Sequence, residues 1–199
     1  MKGLDKLTCI RLAEVLSQRG TVTTDAITDA LYQQDKSGEG FIEVLINGGH
    51  ITEWDLAKVV VENFQLPFVM ASNYHINKDA LKKLPEDVLF RNLLVPLDCF
   101  GDVMVLTMPI LTPYEVFDKL QKKFKLDFFP YVGLISENKK VLAETYPTFN
   151  EWGKKQDAEK EKRAEQHRKD QQTRAAGDAS WMNIFDSGDA AVRDQGKKK

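Results

Sequence analysis

Apolar residues in the first third of the chain recur every three or four positions, which is the spacing of one helix face, and this pattern occurs twice. At an offset of 29, residues 11–20 lie over residues 40–49, and each segment ends in a glycine, Gly20 or Gly49. Glycine readily adopts the left-handed conformation that closes a helix. The pattern therefore predicts a short helix stopped by glycine in each copy, within a four-helix unit over residues 8–65.

A threonine precedes the longer apolar segment of each copy. Thr23 and Thr52 can accept hydrogen bonds from the free N–H groups at a helix start, and residues 52–55 approximate a capping box. The stripes that follow have helical spacing: Ile27, Ala30 and Leu31 in the first copy, and Leu56, Val59 and Val60 in the second. We therefore predict two helical hairpins. For Trp54 we favour a place in the core over a place on a contact surface.

Residues 66–147 mix strand and helix patterns after a short extended segment, 66–69. Three runs are rich in β-forming residues: Leu93–Leu97, Val103–Met108 and Asp127–Leu134. The first two flank Asp98–Asp102, which predicts a β-hairpin with aspartates at its turn. Strand alternation also predicts that at least one of Phe128 and Phe129 is partly exposed, where it could contact a partner.

Residues typical of helix starts lie before, between and after these strand segments. Asn77 opens a helix that Pro85 kinks or restarts. Thr112 predicts an N-cap followed by proline and glutamate, for a helix running to about Phe124, and Ser136-Glu137 predicts the cap of a last helix through Tyr146. The chain is thus predicted to be an α+β protein. A four-helix unit of two helical-hairpin repeats comes first, followed by a small α/β layer in which helices pack on a three-stranded sheet.

The composition changes near Pro147, where we expect the folded part to end. Residues 148–199 read as a charged tail, flexible or in a single solvated helix, because it has too few apolar groups to form a core. Residues 180–186 are an apolar island in this tail. Trp181, Ile184 and Phe185 are predicted either to anchor a protein partner or to fold back onto the domain.

Composition and charge reduce the number of functions to be expected of the chain. The 199 residues carry a formal net charge of −2, which gives no electrostatic reason to expect a nucleic-acid partner. Cys9 and Cys99 are far apart, which indicates neither a disulfide framework nor a zinc site. The sequence has no signal-peptide pattern and no run long enough to span a membrane. We expect a cytoplasmic protein without direct membrane insertion.

Catalytic motifs are not apparent in the sequence. No Gly-x-x-x-x-Gly-Lys-Ser/Thr phosphate loop occurs. His50, His75 and His167 are separated and join no nucleophile or metal-ligand pattern, and His50 is expected to be a polar loop residue. We therefore predict no catalytic residue, no metal site and no enzymatic activity.

The Arg-Leu-x-Glu-x-Leu element of the first copy becomes Gly-Phe-x-Glu-x-Leu in the second, and both copies have Gly-x-x-Thr. These elements, followed by Leu66-Pro67-Phe68-Val69, resemble the N-terminal domain of type II secretion and type IV pilus assembly ATPases, the MshEN or GspE N-terminal type. The similarity covers about residues 8–147, here without the ATPase domain. It implies a non-catalytic interaction or regulatory module. Such a module would dock to a secretion or pilus ATPase or to an inner-membrane platform protein, and the partner would hold it at the membrane.

In some members of this family the tandem repeats bind cyclic di-GMP, and the resemblance implies a corresponding set of residues here. The positions that match the family pattern are Arg11, Leu12, Gly20, Gln34 and Gly49. The second copy departs from it, with Gly40 for the arginine, Ile42 for the glycine and Asn63 for the glutamine. The alternative function is therefore a cyclic di-GMP sensor with a degenerate second half-site, and otherwise no cofactor is expected.

Overall fold

The computed structural model describes residues 8–37, 40–158 and 162, and this described part of the chain begins with four helices. The helices are α1 (Cys9–Arg19), α2 (Thr24–Ser37), α3 (Phe41–Asn47) and α4 (Glu53–Phe64). Helix α1 packs against α2 and α4, and α2 packs against α3. The predicted pair of helical hairpins is confirmed.

Local signals set the ends of these helices as predicted. Gly20 closes α1 in the left-handed conformation, with φ 62°, and Gly49 has φ 69° after α3. The Thr23 hydroxyl accepts from the backbone N–H of Ala26 at 3.4 Å. The Thr52 hydroxyl accepts from the N–H of Asp55 at 3.2 Å and donates to its carboxylate at 2.6 Å, in a variant of the capping box.

The sheet has three strands in the order β1-β2-β3: β1 (Val95–Phe100), β2 (Val103–Pro109) and β3 (Asp127–Gly133). Strands β1 and β2 are antiparallel, and β2 and β3 are parallel. The predicted five-residue turn is wrong, because Asp98 lies inside β1 and only Gly101 and Asp102 separate the strands. The extended segment 66–69 pairs with β3, where Phe68 bridges Val132 in parallel.

Four further helices are α5 (Lys78–Leu81), α6 (Glu86–Asn92), α7 (Tyr114–Phe124) and α8 (Ile135–Thr145), and a 3-10 turn lies at Ala71–Asn73. Pro85 separates α5 from α6, so it marks a restart rather than a kink. Two predicted caps are wrong. Pro113 precedes α7, and the buried hydroxyl of Thr112 has no partner among the described residues. Ser136 lies within α8.

Helix α8 is capped from a distant part of the chain. The Glu53 carboxylate, on α4, accepts from the backbone N–H of Ser136 at 3.2 Å and from its hydroxyl at 2.7 Å. Glu137 accepts from the N–H of Ser72 at 3.2 Å. A carboxylate at a helix start satisfies free N–H groups and complements the helix dipole. These bonds join the helical repeats to the sheet region.

Helices cover both faces of the sheet. On one face, Phe117 of α7 packs on Phe128 with ring centroids 5.8 Å apart. On the opposite face, the amide of Asn138 in α8 is wholly buried and bonds to Thr107 in β2. The first face holds most of the core, because the side chains of β2 and β3 that point toward α7 are all buried.

The packed region extends beyond Tyr146, which corrects the predicted end near Pro147. The ring of Phe149 lies 5.1 Å from that of Phe90, and Thr148 donates to Glu86 at 2.6 Å. One compact unit ends at Glu151 and a second begins at Trp152, with residues 149–158 helical. No helix among the described residues has both the length and the apolar character required for a bilayer span.

Candidate ligand and partner surfaces

The first repeat copy uses its arginines in ion pairs. Arg11 lies within α1 and donates to Glu14 at 2.7 Å, and Arg19 donates to Glu62 on α4, also at 2.7 Å. The hydrogen bond from Arg19 lowers the pKa of the Glu62 carboxyl. Both guanidinium groups are thus already engaged with carboxylates. An anionic ligand would have to compete with Glu14 for Arg11.

The other predicted nucleotide-site residues of the first copy differ in burial and lie near different ends of α1. Leu12 is wholly buried in the core. Gln34 bonds to Cys9, two residues before Arg11, and this bond partly offsets the rise that burial causes in the pKa of the Cys9 thiol. Gly20 ends the same helix, about 13 Å from Arg11 along its axis. The structure therefore brings Gln34, but not Gly20, to the Arg11 end.

The second copy differs from the first in backbone as well as in side chains. Helix α3 starts only at Phe41, and Gly40, which corresponds to Arg11, precedes it in an extended conformation with φ −65° and ψ 135°. A Cβ added at Gly49 or at Gly20 would meet no atom within 4 Å. The left-handed backbone conformation of Gly20 and Gly49, and no close contact, thus accounts for both glycines. At Gly40 the second copy has neither the arginine nor the helical conformation that would hold it.

The histidines and carboxylates do not assemble a metal centre in the part of the chain that the structure describes. No three His, Cys, Asp or Glu side chains cluster there as potential ligands. His50 is exposed in the loop between α3 and α4, as expected for a polar loop residue. Trp181, Ile184 and Phe185, the predicted partner anchor, lie outside the described residues.

Trp54 is on the surface, so its predicted place in the core is wrong. Its side chain is 57% exposed and packs on Phe68 with ring centroids 5.6 Å apart. The physical reason is helical geometry, because two residues correspond to about 200° of rotation. Trp54 therefore points away from Leu56, which is wholly buried.

A second apolar surface lies on the sheet face that α8 covers. We call it the outer patch, and its members are Phe100, Val103, Val105, Phe129 and Tyr131. Phe100 is 63% exposed and Val103 39% exposed, whereas the other three are half-buried. The predicted exposure of one of the two adjacent phenylalanines is confirmed, because Phe129 is half-exposed and Phe128 is buried.

A β-bulge creates the patch. The pairing of β1 with β2 shifts at Leu97, so that Asp98 lies opposite Val105 and Phe100 opposite Val103. Because neighbouring side chains of a strand point to opposite faces, the extra residue turns Phe100 onto the outer face. The rings of Phe129 and Tyr131 are 5.5 Å apart on the same face.

Comparison with known proteins shows which domains share this fold. No family model matches the chain. The chain is 24% identical over 98 residues to the type IV pilus assembly ATPase PilB of Myxococcus xanthus (strain DK1622), a match that covers 49% of the chain but only 17% of that ATPase. A structure of MshE with cdg has a TM-score of 0.56 at 22% identity, over 68% of this chain and 99% of that one.

The N-terminal domain of XpsE gives a TM-score of 0.54 at 24% identity, over 67% of this chain and 92% of that one. The chain therefore has the fold of these domains, and the resemblance to the N-terminal domains of secretion and pilus ATPases is confirmed at the level of the fold. For XpsE the matched part is its N-terminal domain.

Proposed function

We propose that the protein is a non-catalytic docking and regulatory module of a type II secretion or type IV pilus-like machine. The observation that carries this proposal is the extent of the structural likeness, which takes in nearly the whole of the MshE and XpsE chains. A shared fold alone does not assign a function. The exposed surfaces of this chain supply the second argument.

Those surfaces are suited to protein contact. The exposed ring of Trp54 packs on the half-buried ring of Phe68, and the outer patch presents further aromatic and aliphatic side chains. Aromatic residues are enriched at protein interfaces and contribute a large share of binding energy. The partner in this proposal is a secretion or pilus ATPase, or the inner-membrane platform protein, and the module is cytoplasmic and reaches the membrane through that partner.

Co-purification tests the proposal. The full chain should co-purify with at least one secretion or pilus ATPase or platform protein encoded in the same genome, and it should hydrolyse neither ATP nor GTP by itself. Turnover that survives stringent purification and scales with protein concentration would refute the non-catalytic role. Absence of every such component from the complex would refute the docking role.

A cyclic dinucleotide sensor is the second candidate function, favoured by the likeness to MshE solved with cdg. Arg11 and Gln34 lie at one end of the first hairpin, where they could form half of such a site. Gly40 offers no side chain for the other half, and Arg11 is held by Glu14. Losing one buried charged contact can cost about 2 kcal/mol, a factor of about thirty in affinity.

Calorimetry with cyclic di-GMP distinguishes the two candidates. We expect no binding, or binding weaker than micromolar, by the full chain. If weak binding occurs, Arg11→Ala should remove it, whereas Arg91→Ala, which loses a similar surface ion pair on α6, should not. A submicromolar dissociation constant that Arg11→Ala abolishes would instead establish the sensor.

A further inference from the structure

The outer patch is the uncovered half of a sheet face whose other half is closed by α8. Where Asn138 of α8 meets the sheet, Thr107 is wholly buried and Gly133 is buried beside it. Toward the hairpin tip the exposure rises, through half-buried Val105 to Phe100, which is 63% exposed. An apolar face that continues past the end of its covering helix leaves room for another element beside α8.

Three aspartates surround the patch. Asp98 and Asp127 lie on the same sheet face, paired in register with Val105 and Val103, and Asp102 is in the hairpin turn. Asp98 accepts from the side-chain amide of Asn77 at 2.9 Å, and Asp127 accepts from that of Gln121.

The donors in both of these bonds are neutral side-chain amides. None of the three aspartates takes part in an ion pair within the described ranges. The nearest cation in sequence is Lys125, at the end of α7. Asp98, Asp102 and Asp127 thus offer carboxylates around the patch that no described cation pairs with.

Each edge of the sheet is engaged in part, away from the hairpin tip, which bears on the shape of the partner. At the β1 edge the N–H of Asn77 donates to the carbonyl of Leu97 at 2.9 Å. At the β3 edge the N–H groups of Val69 and Val132 donate to Val132 and Pro67. A partner segment at the patch would therefore lie on the sheet face, where α8 already packs, instead of adding a strand.

We propose that the outer patch binds an amphipathic helix of a partner protein, with leucine-like side chains against Phe100 and Phe129 and with basic side chains facing the aspartates. This inference rests on the proposed docking function and names the surface and the chemistry of its partner. A second copy of the chain fits less well, because a symmetric contact would oppose two sets of these aspartates. An anionic membrane would be repelled by the same carboxylates.

The test uses the full chain and a fluorescent helical peptide of leucines and lysines, with a matched peptide that has glutamates in place of the lysines. The basic peptide should bind and the acidic peptide should not. Phe100→Ser should weaken binding at least about tenfold, as expected for an exposed aromatic anchor. Tyr32→Ser, which removes an aromatic side chain of similar exposure on α2, should leave the affinity unchanged.

The charge dependence of peptide binding and the location of the bound peptide provide two further readouts. Asp102→Asn should weaken binding several-fold, and so should raising the salt concentration to about 0.5 M, because exposed charges are screened over about 4 Å under those conditions. The amide resonances of Val103, Val105 and Phe129 should shift when the peptide is added. A thermal melt of Phe100→Ser that matches that of the unaltered chain excludes loss of folding as the cause.

Four results would overturn the inference: no binding of the basic peptide, equal binding of the acidic one, an affinity insensitive to Phe100→Ser, or a chain dimer that Phe100→Ser dissociates. Its failure is distinguishable from failure of the docking function. If secretion or pilus components bind Phe100→Ser as tightly as the unaltered chain, only the surface assignment fails. If the peptide binds at the patch but no such component does, the docking function fails.

Discussion

Asn138 is predicted to be among the side chains most important for stability, because it joins three parts of the fold from a wholly buried position. Its amide nitrogen donates to the carbonyl of Leu93 at 2.9 Å, and its oxygen accepts from the hydroxyl of Thr107 at 3.1 Å. A Cβ added at Gly133 would lie 2.8 Å from the same oxygen. Asn138→Ala would leave the buried Thr107 hydroxyl and the partly buried Leu93 carbonyl without these partners.

The expected cost follows from those two groups. Each such group left without a hydrogen bond costs about 1–3 kcal/mol, so Asn138→Ala should lower the free energy of unfolding by about 2–6 kcal/mol. Domains of this size are stable by about 5–15 kcal/mol in total. Gly133→Ala should be costly as well, because its methyl group displaces the Asn138 amide. The double variant should cost less than the sum of the two single ones.

Urea denaturation of the full chain, followed by circular dichroism, measures these differences. Asn92→Ala is the matched control, because the Asn92 amide donates at 2.8 Å to Val88 within its own helix, at a half-buried position. It should cost no more than about 1 kcal/mol. If Asn138→Ala costs no more than Asn92→Ala, or if the Gly133 and Asn138 effects add fully, the reasoning is refuted.

Three further predictions concern Thr112, Tyr146 and the C-terminal segment. Thr112→Val should raise the free energy of unfolding by about 1 kcal/mol, because it replaces a buried hydroxyl that lacks a partner, whereas Thr112→Ser should lower it. Burial, and secondarily the charge of Glu86, raises the pKa of Tyr146 to about 12 from 10.0, so the neutral phenol stabilises the fold below pH 10. That contribution is lost as the pH rises from 10 to 12, and denaturation curves of Tyr146→Phe should lack this part of the alkaline destabilisation. Truncation after Thr173 should leave the melting temperature nearly unchanged and remove one partner in a pull-down. A fall of many degrees would show that residues 180–186 belong to the core.

The features predicted from the sequence are those set by neighbouring residues. Gly20 and Thr52 act within their own helix ends, and the hairpin repeat follows from them. The features that were missed depend on residues far apart in the chain. The cap of α8 comes from Glu53, 83 positions before Ser136, and no local pattern marks it. The polar sequence around Asn138 likewise gives no sign that Thr107 and Leu93 converge on its amide.

Strand register and the position of a side chain around its helix limited how well the exposed surfaces could be predicted from the sequence. The bulge at Leu97 turns Phe100 outward, and a regular alternation would have placed it on the other face. The core is the commoner place for an aromatic side chain such as that of Trp54, but Trp54 lies about 200° from buried Leu56 around the helix. For the nucleotide-site residues, the substitutions in the second copy were visible in the sequence, but the later start of α3 was not.

The central claim, that this fold acts here as a docking module, is tested most directly by titration. The full chain would be titrated with the purified secretion or pilus ATPases and with the cytoplasmic part of the platform protein from the same genome, in a calorimeter and without nucleotide. We predict saturable one-to-one binding to at least one of them, with a dissociation constant of about 10 μM or tighter, about −7 kcal/mol. No heat of binding to any of them at concentrations of about 0.1 mM would contradict the account.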